Sequence, residues 1–150
     1  MDAVTYPDER VIHFLQEKFI PVRLAYDHPE FSKKFNVTWT PALFILDNEG
    51  VIHHGEVGFL SPEEIIPFGL LGLAKIAFDQ GHYDQALCYF DNILEHHSQS
   101  VAVPEAIYLR AVCLFKKTND ASVLKKAYEE LSTRFPENEW TKRAYPYRLL

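Results

Sequence analysis

The chain has 150 residues, of which 47% are hydrophobic and 14% aromatic, with a formal net charge of −6. That length and composition fit one globular domain or two small ones and exclude a disordered chain. No apolar run reaches the ~18 residues of a membrane-spanning helix. Neither half has the basic stripe that nucleic acid requires: residues 1–67 hold 5 Lys+Arg against 11 Asp+Glu, and residues 68–150 hold 10 of each.

The first half is expected to alternate helices and strands. Tyr6-Pro7-Asp8-Glu9 opens a helix, with Pro7 in the first turn and the acids facing the positive end of the helix dipole. Val11, Ile12, Phe14, Leu15 and Phe19 form its apolar stripe. The run FIPVRLAY (19–26) alternates as a strand does, and a short helix is expected from Pro29 to Phe35. ALFILD (42–47) is a continuous apolar run, as in a strand covered on both faces. The turn Asp47-Asn48-Glu49-Gly50 then returns the chain through VIHHGEVG (51–58) as an antiparallel hairpin, with Asp47 and Glu49 solvated.

SPEE (61–64) starts a helix: Ser61 caps, Pro62 follows, and Glu64 sits three residues on. Pro67 removes an amide donor, which predicts a kink or break near 66–69 and a boundary between domains 1–67 and 68–150. Beyond it the pattern is wholly helical, with stripes over 70–80, 83–96, 104–117, 121–135 and 138–145. Leu70, Leu73, Ala74, Gly81, Tyr83, Ala86 and Phe90 resemble the large-and-small pattern of tetratricopeptide repeats. A looser copy runs through Ala106, Ala111, Leu114, Leu124, Tyr128, Leu131 and Pro136.

Helix, strand, helix, then TWTPALFILDNEGVIHHGEVG (38–58) and a capped helix resembles the thioredoxin fold over residues 4 to about 66. The resemblance implies a cis Thr40-Pro41 bond at the start of the strand, with the backbone of Thr40 unpaired and able to dock an extended peptide. A trans, strand-entry proline is the alternative reading of the dipeptide. Trp39 stands beside that loop as a peptide contact or as core filler. The peptide-binding set is therefore Trp39, Thr40 and Pro41.

The family's C-x-x-C dithiol is missing. Cys88 and Cys113 lie 25 residues apart on helical stripes and are expected to be inert core packing. MDAVTYPDERVIHFL (1–15) is similar to the segment that follows the dithiol in one thioredoxin-like branch. On that reading Met1 is internal to a longer gene product; the alternative is that Met1 is the natural start of an adapted fold. The family's first core strand, between 20–26 and 41–47, would then also be absent, leaving those strands to pair with each other or be completed by another chain. A homodimer through the N-terminal domain follows from that expectation.

The histidines show no ligand spacing, since adjacent His53 and His54 on a strand face opposite sides, and no metal or other cofactor is expected. No phosphate loop or catalytic triad pattern is present. The fold expected is an incomplete α/β thioredoxin-like domain followed by an all-α tetratricopeptide-like domain. Its expected role is to bind proteins or extended peptides, without a catalytic residue in this chain, in a reducing cytoplasm. The alternative is a thiol-disulfide oxidoreductase whose C-x-x-C lies upstream of Met1.

Overall fold

The computed structural model describes residues 1–150. It is mixed α/β and mostly helical, with seven α-helices and one two-stranded antiparallel sheet. The chain divides into two compact units, Met1–Ile66 and Pro67–Leu150. No helix is long and apolar enough to cross a membrane.

In the first unit, α1 (Glu9–Lys18) is capped by Asp8, whose carboxylate accepts the Arg10 amide at 2.9 Å. Pro7 therefore precedes the cap instead of sitting in the first turn; a side chain that satisfies the orphan amides sets where the helix begins. Val11 points into the core and is fully buried. Thr5 is fully buried as well and ties the N-terminal turn to the stretch before the next long helix, its hydroxyl donating to the Leu60 carbonyl at 2.6 Å.

The strand expected at 19–26 does not form. No pairing involves these residues, and 20–24 make no backbone hydrogen bond within the chain. Alternation favours an extended backbone, but a strand needs a second row of amides and carbonyls, and none is beside it. The direct pairing of 20–26 with 41–47 is likewise absent. The helix expected at 29–35 shrinks to the single turn of α2 (Phe31–Lys34).

β1 (Ala42–Leu46) and β2 (Ile52–Val57) form the expected hairpin, with Ala42 opposite Val57 and Ile45 opposite His54. Leu46 pairs with Ile52, so His53 is an extra residue, a bulge on β2. Gly50 closes the turn at φ +81°, a conformation that favours glycine. β1 is not covered on both faces as its apolar run suggested. Only Ile45 is buried, and Phe44 is half-buried against Phe35, ring centres 5.3 Å apart. A two-stranded sheet has too little surface around it to bury a whole strand. The Thr40–Pro41 bond is cis.

Of the kink or break expected at Pro67, the break does not occur: α3 (Pro62–Asp79) is one helix that contains it. One amide donor is lost there, but the proline ring is fully buried and Phe68, Leu70 and Leu71 behind it are buried as well. That burial offsets the missing hydrogen bond.

In the second unit, α4 (Tyr83–His96), α5 (Val103–Thr118), α6 (Ser122–Arg134) and α7 (Glu139–Ala144) pack in succession, and a 3-10 turn (Tyr145–Leu149) closes against α6 and α7. Ala86, Phe90 and Ile93 of α4 are fully buried, as are Val103 and Ala106 of α5 and Leu131 of α6. Small residues on α5 let the helices approach while Phe90 fills the space between them. Lys75 of α3 pairs with Glu105 of α5, and Arg110 of α5 with Asp91 of α4 at 2.5 Å. Asn119 ends α5 in the left-handed region at φ +56°, and the Asn138 side chain caps α7 by accepting the Trp140 amide at 2.9 Å. Tyr108, Trp140 and Tyr147 then pack as an aromatic cluster, with the two tyrosine hydroxyls 3.0 Å apart. Burial, then the Tyr108 hydroxyl, pushes the Tyr147 phenol up to about 12.

Candidate functional site

The stretch between α2 and β1 has little regular structure and carries the three residues singled out from the sequence. Val37 donates its amide to the Ser32 carbonyl at 2.9 Å, which anchors the stretch to α2. At its other end the Pro41 carbonyl accepts the Gly58 amide at 2.8 Å, which extends the hairpin by one residue. Between these anchors, the backbone amide and carbonyl of Thr40 have no intramolecular partner, and the residue is exposed. Unpaired backbone in contact with water is ready to bond another chain at little desolvation cost.

Trp39 is not core filler: it is 72% exposed. Together with Tyr26, Val37, Thr38 and Thr40 it lines a shallow pocket of about 210 Å³. Trp39 and Thr40 thus both line it, while Pro41 is exposed and not part of the lining. Tyr26, Val37 and Thr38, outside the set expected from the sequence, complete the lining. The only signal for Tyr26 was its place at the end of the alternating run, before Asp27. Two aromatic rings, two threonine hydroxyls and free peptide groups form a neutral surface with both apolar area and hydrogen-bonding capacity. The lining contains no carboxylate, imidazole, thiol or amine. Such a surface offers aromatic stacking area and main-chain hydrogen-bonding groups, with the Tyr26 phenol as its one titratable side chain.

The turn at the other end of β1 is more ordered than the solvated role expected for Asp47. The Asp47 side chain is only 11% exposed and accepts from the Glu49 and Val51 amides at 2.9 Å each. The bulge re-aims His53 at this carboxylate, Nε2 to Oδ2 at 3.0 Å. The His53 bond and then the Val51 amide hold the Asp47 carboxyl below the usual aspartate range. No group of three or more His, Cys, Asp or Glu side chains is arranged to hold a metal ion.

The cysteines part company. Cys113 is buried and donates weakly to the Tyr83 carbonyl, Sγ to O at 3.5 Å. Burial, helped by Asp84, pushes its thiol up to about 11, where almost no thiolate exists at neutral pH. Cys88, expected in the core, is exposed instead. It lies two positions from both Ala86 and Phe90, which are buried, and so ~200° round the helix from either.

No family model matches this chain, and no curated protein or solved structure was found to match it.

Proposed function

We propose that this chain is a protein-binding module: a thioredoxin-like unit without its dithiol, joined to tetratricopeptide-like helices. It docks an extended peptide at the Trp39-Thr40-Pro41 loop. The observation that carries this reading is the exposed Thr40 residue, its backbone unpaired on both amide and carbonyl, lining the same pocket as the exposed Trp39. The neutral lining favours apolar or uncharged peptide segments over phosphate or nucleic acid. Two free cysteines with no disulfide between them are in keeping with a reducing cytoplasm.

Selection of random extended peptides by display against the whole chain tests the reading. Titration of an enriched peptide should then show Trp39→Ala weakening binding at least tenfold, the scale of a central aromatic contact, with the fold intact by circular dichroism. Enriched peptides that bind Trp39→Ala as well as the parent chain would sink it.

A second reading rests on the similarity of residues 1–15 to a post-dithiol segment. On it, the chain is the body of a thiol-disulfide oxidoreductase. The codons upstream of Met1 in the same frame decide between the two, since a C-x-x-C a few residues before Met1 supports the enzyme.

A further inference from the structure

Exposed apolar surface is concentrated in the first unit. Ile20, Val22 and Leu24 alternate along a stretch without regular secondary structure that ends in a turn at Tyr26, and the four side chains are 92%, 74%, 44% and 73% exposed. Residues 20–24 make no backbone hydrogen bond within the chain. A row of free amides and carbonyls with apolar side chains is a template for pairing with another strand. β1 offers the complementary row, because it pairs with β2 along one edge only. The Gly58 amide bonds the Pro41 carbonyl, so Pro41, Leu43 and Ile45 turn their backbone groups towards β2. Ala42 and Phe44, in between, turn theirs to the open edge. Within one copy the two orphan rows do not pair.

We propose that a second copy of this chain docks on this surface. Each copy lays its Ile20–Leu24 segment along the open edge of β1 in the other, in a reciprocal two-fold exchange. Backbone groups of alternate strand residues face the same side, so the edge made by Ile20, Val22 and Leu24 has all its amides. The donor that Pro21 lacks belongs to the far edge. Charge selects the same surfaces. Residues 1–67 are strongly acidic, yet 19–26 carry only Arg23 and 42–46 carry no charge, so the copies meet where like-charge repulsion is weakest. Because strand and edge belong to the same chain, two copies can each fill the other's edge, and that reciprocal arrangement leaves neither edge open. The peptide reading of Trp39 is not required for it.

Light scattering during size exclusion, on the whole chain at high micromolar concentration, tests the proposal. The expected mass is twice 17.4 kDa. The double variant Ile20→Glu, Val22→Glu should return it to a single copy, with an unchanged helix signal because both side chains are exposed. Hydrogen exchange at the Ala42 and Phe44 amides should be at least tenfold slower in the parent chain than in that variant. Added salt should tighten the dimer, since it joins two acidic units. Trp39→Ala should leave the mass unchanged, which separates this proposal from the peptide site. A single-copy mass for the parent chain overturns the proposal, and so does a dimer that survives the double substitution or an assembly that grows beyond two.

Discussion

His53 Nε2 sits 3.0 Å from Asp47 Oδ2, while Oδ1 of the same carboxylate accepts the amides of Glu49 and Val51. One side chain thus clasps both the turn and the bulge of the β1–β2 hairpin. Its carboxyl is held below the usual range, chiefly by the His53 bond. A depressed aspartate contributes stability in full above its unfolded value, about 4, and loses it as pH falls through the folded value. The first unit should therefore lose stability as pH drops below about 4, and Asp47→Asn should flatten that loss while lowering Tm at neutral pH. Thermal melts across the acid range check this. An Asn variant with the parental pH slope would place the linkage on another group.

Gly55 faces Phe44 across the hairpin. A Cβ added there would meet Phe44 Cδ1 at 2.9 Å, and the ring is backed by Phe35. Gly55→Ala should destabilise the first unit by about 1–3 kcal/mol, the usual cost of overpacking. Urea denaturation followed by aromatic circular dichroism reads the change; an unchanged midpoint would mean that the Phe44 ring moves aside freely.

Thr5→Val keeps the shape of a fully buried side chain and removes the hydroxyl that reaches the Leu60 carbonyl at 2.6 Å. The carbonyl is left without that donor, at a cost of about 1–3 kcal/mol. Equal stability of Thr5→Val and the parent chain in denaturant would show that water replaces the hydroxyl.

The thiols should react at very different rates. Cys88 is exposed and should be labelled rapidly by a disulfide reagent, whereas Cys113 should be labelled only on unfolding. The purified chain should also fail to reduce insulin disulfides, because its two sulfurs lie on different helices and no dithiol motif joins them. Reduction abolished by Cys88→Ala or Cys113→Ala would reverse this reading.

The elements legible in the sequence are those whose causes lie within a few residues of each other. The apolar run at 42–46, the Asp47–Gly50 turn and the stripes at 83–96, 104–117 and 121–135 all appear as elements within a residue or two of their expected ends. Periodicity, turn chemistry and caps act locally, so a single sequence carries them. Cys88 is a local expectation that fails: it is exposed, because its two-position spacing from the buried Ala86 and Phe90 puts it on the far side of α4. Trp39 and Thr40 stood out because Thr40-Pro41 precedes an apolar run, a feature of consecutive residues.

Tertiary structure alone decided the rest. Residues 19–26 alternate as well as any strand, but alternation supplies only one row of backbone groups, and the second row must come from elsewhere in the chain or from another chain. Pro67 stays helical because its ring is buried, which no local propensity reports. Asp47 is drawn out of solvent by a bulge whose existence depends on the register between two strands. Tyr26 joins Trp39 and Thr40 although it lies 11 positions before Val37, because a pocket is defined by proximity in space. Local sequence sets which conformation each segment prefers; which distant segment lies beside it, and so whether its polar groups are paired and its apolar face covered, is settled only when the whole chain folds.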